Sequence, residues 1–253
     1  MIIDRIDYKF GIRDCESVAI NIEAIFKGVG YLGVDKKEIE SIYAISEDMD
    51  KSRITDIKSA VGESTLRDSE KINKAIEALS QMWNEVKDRF LSCVVRGLDL
   101  KLNESKVFNS YCYLHALPIN ELDRSSNIIY LDYNRPIDEL FKNFIVLVAK
   151  AILLDKWDNL NGDVFSHSYQ AQNRLWLFAD IAIDAIFACT DLCKLCDKPS
   201  YRFFYNLKIN NVLFMFNFRK LYKKVEVDEF LNQVYLFVYY NQQSLNEFKN
   251  CLY

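Results

Sequence analysis

Glycine and proline are scarce in this sequence, seven and three of 253 residues, about 4% together where average proteins carry roughly 12%. So few turn-formers exclude a many-stranded sandwich or barrel, and no glycine-rich run is present to cradle phosphate. Only two histidines occur. Neither has a His or Glu four residues on, the spacing that sets two ligands on one helical face. G-x-S-x-G, Walker A and G-x-G-x-x-G are all missing. The longest apolar runs, Phe144 to Leu154 and Leu175 to Cys189, fall short of the roughly 20 residues a membrane span needs. Seven cysteines are an odd number, and the opening MIIDRIDYKF lacks the apolar core of a signal peptide. Reduced thiols in a soluble, cytoplasmic protein are therefore expected.

Half the residues are hydrophobic and 27% are charged, a balance that supports a sizeable core and excludes disorder. The net charge of −4 is placed unevenly. Residues 1–100 hold 15 basic and 19 acidic side chains, whereas residues 101–253 hold 17 of each. No basic stripe exists to release counterions, so nucleic acid is not expected as the principal ligand. The expected organisation is a helical, acidic region over 1–100 and an α+β scaffold over 101–253.

Helices are predicted to dominate. Asp14 is placed to cap one running to about Phe26, with Gly28 as its stop signal, and a short acidic helix follows near Lys36 to Ile45. Glu47 to Asp68 is polar and reads as a linker or mobile segment. Ile72, Ile76, Leu79, Trp83, Val86, Phe90 and Val94 form one apolar stripe, which predicts a helix over 69–96. Val107 to Leu114 and Asn127 to Asp132 read as two strands of a small antiparallel sheet. Pro136 opens a helix running to about 157, apolar nearly all round and so central. A third long helix is predicted over 168–196. A hairpin turning at Asn210-Asn211 and two short helices broken near Asn241 complete the reading. The fold class is α+β, predominantly helical.

Few side chains point to chemistry. His115, at a strand end, reads as structural, and His167 as a residue near a helix cap. Cys189, Cys193 and Cys196 fall on one face if helical. They suit a metal site or a redox pair, but without a second CxxC they read better as lining of a buried helix. Asp180 and Asp184, four apart, are acid/base candidates. The alternative is that they accept ion pairs from Lys150 or Arg174. No cofactor is indicated.

The order of elements resembles a known family. The strand NIIYLD followed by DELFKNFIVLVAKAILLDKW is similar to the core of the ImmA/IrrE family of zinc metallopeptidases, where an I-x-L-N strand precedes a helix reading F-T-x-A-H-E-x-G-H. Aligned on Phe144, the histidine positions fall at Val148 and Ile152, and the glutamate position at Ala149. RLWLFADIAIDAIFACTDL resembles the helix carrying the third ligand, and VDEFLNQVYLFVYYNQQSLNEFKNCL the closing helical pair. The resemblance implies a zincin-like scaffold without zinc chemistry, since these side chains offer no lone pairs to a metal. It further implies a pseudo-enzyme, in a family often borne on mobile elements, that binds a protein partner. The acidic surface at Glu38, Glu40, Asp48 and Asp50 is the expected contact region.

Overall fold

The structure, a computed structural model, describes residues 5–28, 34–45, 54–100, 107–161, 169–195, 208–209 and 212–250. It is α+β and predominantly helical, as expected. The chain forms two compact units. A sheet unit takes Asp7–Glu85 and Asn109–Phe144, and a helical unit takes Met1–Ile6, Val86–Phe108 and Ile145–Tyr253.

In the sheet unit, strand β1 (Arg5–Ile12) precedes helices α1 (Cys15–Phe26), α2 (Lys36–Tyr43), α3 (Ile54–Arg67) and α4 (Ser69–Gly97). Strands β2 (Val107–His115), β3 (Glu121–Asp123) and β4 (Ile128–Asp132) then lead to helix α5 (Ile137–Asn161). The strand order is β1-β2-β4-β3. The expected antiparallel pairing of β2 and β4 is corrected: these strands run parallel, with Cys112 opposite Ile129 and His115 opposite Asp132. Residues 116–127 form the crossover that a parallel pair requires, and β3 within it pairs antiparallel on the far side of β4. The β3–β4 turn is held by Asp123, whose carboxylate accepts from the Ser125 N–H at 2.9 Å and from the Ser125 and Ser126 hydroxyls at 2.7 Å.

One face of the sheet is apolar. Cys112, Leu114, Leu122, Ile129 and Leu131 are buried there. Tyr8, Trp83 and Phe144 meet edge to face, with centroids 5.1–6.0 Å apart, a geometry that adds about 0.5–1.5 kcal/mol per pair beyond area burial. The stretch read as a linker contains α3. Its buried Ile57, Ala60, Val61 and Ser64 follow the helical i, i+3, i+4, i+7 pattern, but two of them are too small to register as an apolar stripe.

In the helical unit, the second part of α5 is joined by α6 (Tyr169–Cys189), a short 3-10 helix at Asp191–Lys194, the two-residue strands β5 (Lys208–Ile209) and β6 (Val212–Leu213), α7 (Phe214–Tyr222) and α8 (Val227–Asn250). The predicted hairpin is present as the β5–β6 pair, but residues 214–218 are helical and its turn at Asn210-Asn211 lies outside the described residues. The predicted break near Asn241 is corrected. The Asn241 amide donates to the Phe237 carbonyl at 2.8 Å, so the side chain bonds back one turn within a continuous helix. Trp157, Phe178 and Tyr235 pack with centroids 4.6–5.9 Å apart. A Cβ at Gly97 would come 3.3 Å from Ile186 Cγ2, and the Gly97 carbonyl accepts from the Tyr222 hydroxyl at 2.7 Å.

Candidate functional site

The polar residues of the sheet unit converge where β2 and β4 end. In sheets with parallel strands, the carboxyl ends of those strands are where ligand-binding crevices form. Here a cleft of about 440 Å³ is lined by Glu38, Ser41, Ile42, Arg67, Asp68, Asp132, Asn134 and Arg135. Asp132 ends β4. Its carboxylate accepts from the Asn134 N–H at 2.9 Å and from Arg135 Nε at 3.2 Å, and its own N–H donates to Asn120 Oδ1 at 3.0 Å. Burial raises the Asp132 pKa against the pull of Asn134 and Arg135. Asp68, between α3 and α4, accepts from the Tyr133 hydroxyl at 2.9 Å and from Arg67 Nε at 3.3 Å. Burial works against its ionisation, but the Arg67 and Tyr133 hydrogen bonds hold its pKa below the ordinary value. Lys71 donates to Asn134 Oδ1 at 2.7 Å. Arg67 also reaches Ser64 Oγ at 2.9 Å and the Ile42 carbonyl at 3.3 Å. Arg67, Asp68, Asp132 and Arg135 on the cleft are thus each held by neighbouring groups. The arrangement suits recognition of a polar partner surface.

Of the residues singled out in the sequence, Glu38 lies on this cleft and Glu40 is half-buried on α2. Asp48, Asp50, His167 and Cys196 lie outside the described residues. His115 is buried at the end of β2. Burial pushes its pKa down to about 3, Arg13 adds to this, and the Ile119 backbone opposes it. It is a neutral ring at neutral pH.

Asp180 and Asp184 are ion-pair partners in the helical unit. Lys150 on α5 pairs with Asp180, both side chains being at most 16% exposed. Arg219 on α7 donates to Asp184 at 2.8 Å. Burial raises the Asp184 pKa, and Arg219 opposes the rise. Arg174, the other partner considered, instead reaches Gln242 at 3.0 Å and stacks on Tyr239. Val148, Ala149 and Ile152 are buried in α5, and their hydrocarbon side chains do not fit a zinc ion.

The helical face expected for the cysteines is not formed by Cys189 and Cys193. α6 ends at Cys189, Thr190 caps the 3-10 helix, and Cys193 lies within the latter. Cys189 flanks a cleft of about 370 Å³ with Cys93, Arg96, Gly97 and Asp191. Its thiol donates to the Arg219 carbonyl at 3.5 Å, and burial pushes its pKa up despite Lys223 and Arg219, which is the reverse of thiolate activation. Among the described residues, no three His, Cys, Asp or Glu side chains are grouped to hold a metal ion, and no helix is long and apolar enough to cross a membrane.

No family model, curated protein or solved structure matches the chain.

The residues of the sheet-unit cleft other than Glu38 were not marked by any sequence motif. The nearest signals were Asp68 ahead of a long apolar stripe and the D-Y-N-R-P sequence that ends β4. Each is a local capping or turn signal in type, and neither reveals that the two segments meet.

Proposed function

We propose that this protein is a non-catalytic, cytoplasmic protein-binding regulator whose core is a degenerate relative of the zincin-like scaffold. The observation that carries the reading is the state of α5. It follows β4 in the order the ImmA/IrrE resemblance implies, yet the three positions of the zinc-binding helix are occupied by fully buried Val148, Ala149 and Ile152. Packing has replaced ligation there, and no catalytic step runs through a metal.

The disposition of the carboxylates supports the same reading. Asp180 and Asp184 each face a cation on another helix, so neither is poised to trade protons with a substrate. The charges of the sheet-unit cleft border a recess instead, and that unit has a net charge of −7 against −4 for the whole chain.

The test is affinity enrichment of the tagged full chain from its source cells at low salt, compared with charge reversal at Glu38, Glu40, Asp48 and Asp50. The expected result is one protein retained stoichiometrically by the parent and depleted from the variant. Zinc-dependent peptide hydrolysis by the purified parent would overturn the proposal.

A further inference from the structure

The second face of the sheet carries a stack of aromatic rings. Side chains alternate along strands, so Tyr111 and Tyr113 on β2 and Tyr130 on β4 project away from the buried Cys112, Leu114 and Ile129. Tyr111 and Tyr113 lie face to face, 5.6 Å apart and 4° from parallel. Tyr113 pairs across the strands with Tyr130, the rings 6.2 Å apart at 27°. Gly11 makes room on β1, where a Cβ would come 3.2 Å from the Tyr113 ring.

The two ends of this stack differ. At one, the Arg13 guanidinium lies 3.8 Å over the Tyr130 ring, and Glu121 is 4.0 Å from it. At the other, Tyr111 is 44% exposed. The fold itself thus stacks a guanidinium backed by a carboxylate on one end of the row and leaves the ring at the other end partly exposed.

Charge selects the occupant. The sheet unit spans residues 7–85 and 109–144, which contain 14 basic and 21 acidic side chains, a net charge of −7. Such a unit repels a phosphate backbone and attracts cations. A planar guanidinium stacks on tyrosine, whereas a lysine ammonium is more strongly hydrated and lacks the flat face.

We infer that this face of the sheet docks a basic segment of a partner protein, with an arginine guanidinium stacked on Tyr111. The inference rests on the protein-binding reading and names the chemistry of the partner.

Fluorescence anisotropy of the full chain tests it with three labelled probes: a ten-residue peptide alternating arginine and serine, its lysine counterpart, and a ten-nucleotide oligouridylate. The arginine peptide is expected to bind about fivefold more tightly than the lysine peptide, and the oligouridylate more weakly than either. Tyr111→Ala should abolish the arginine preference, while Tyr111→Phe, which keeps the ring, should retain it. Should the alanine variant not fold, Tyr111→Leu keeps bulk and strand preference without a π face. Equal affinity for the two peptides, an unchanged preference in the ring-deleted variant, or tighter binding of the oligouridylate would each overturn the inference. These probes are scored apart from the cellular partner. A partner retained without arginine preference removes this docking mode alone; arginine preference with no partner enriched removes the regulatory reading and leaves the docking face standing.

Discussion

The Tyr133 hydroxyl donates to Asp68 at 2.9 Å across 65 residues of chain. Asp68 is the single residue between α3 and α4, and its carbonyl accepts from the Ile72 N–H at 3.0 Å, starting the longer helix. Tyr133 follows β4, with its N–H bonded to the His115 carbonyl at 2.9 Å. One hydrogen bond thus ties the start of a long helix to the end of the parallel strand pair. Burial raises the Tyr133 pKa, and the Asp68 hydrogen bond raises it further.

Tyr133→Phe removes this donor while keeping the ring. A hydrogen bond to a charged group contributes about 1.5–3 kcal/mol, and Arg67 still satisfies part of the carboxylate. The expected loss is about 1–2 kcal/mol by urea unfolding at pH 7. The Asp68 pKa should also rise, since one of the groups holding it down is gone. An unchanged stability together with an unchanged Asp68 titration by NMR would refute the link.

The Lys150–Asp180 pair gives a test in the helical unit. Asp180→Ala removes the carboxylate that pairs with a nearly buried ammonium, and removing one member of a buried pair costs about 3–5 kcal/mol. Replacing both residues, with Lys150→Met and Asp180→Leu, restores an apolar contact and should cost much less. Chemical denaturation of the singles and the double measures the coupling. Additive losses would show that the two side chains do not depend on each other.

His115 sets a pH dependence whose sign follows from its depressed pKa. Its folded-state value, about 3, lies below the unfolded value of about 6.5, so the unfolded chain binds the proton first. Stability from this group is complete above pH 6.5 and declines as pH falls toward 3, at up to about 1.4 kcal/mol per pH unit. His115→Gln should flatten the difference curve between pH 6.5 and 4.5. Parallel stability profiles for parent and variant would contradict the assignment.

Gly97 gives a steric prediction. Its missing Cβ faces the Ile186 and Thr190 methyl carbons, at 3.3 and 3.4 Å from where it would sit. Gly97→Val adds two further carbons against the same wall, so an overpacking cost of about 1–3 kcal/mol is expected. Thermal melting checks it. A variant as stable as the parent would mean that α6 yields without penalty.

The local readings that succeeded were of patterns that one segment can satisfy alone. The α4 stripe from Ile72 to Val94 and the all-round apolar α5 specify helices, because a 3.6-residue period or a solidly apolar segment marks what is buried before any partner is named. Asp14 was legible as a cap for the same reason; it accepts the Ser17 N–H 2.8 Å away within its own turn. Strand β1 was legible as well, since Ile6, Tyr8 and Phe10 alternate with Asp7, Lys9 and Gly11, the period-2 pattern of a half-buried strand, but it is absent from the predicted elements. Asn241 drew a predicted helix break because its amide competes for backbone partners, yet within α8 that amide bonds to the turn before it.

Between segments, residue order leaves the choice open. NIIYLD states that a strand forms, but whether it runs parallel or antiparallel to β2 depends on where the 116–127 crossover travels. That pairing brings Asp132 alongside His115 and stacks Tyr130 against Tyr113. Likewise, two aspartates four apart on α6 are compatible with catalysis or with ion pairs. In the structure Lys150 and Arg219, arriving from α5 and α7, pair with them. Periodicity and capping act over a few residues, whereas strand direction, clefts and charge pairing arise from burial shared between distant segments, and that burial exists only once the chain has folded.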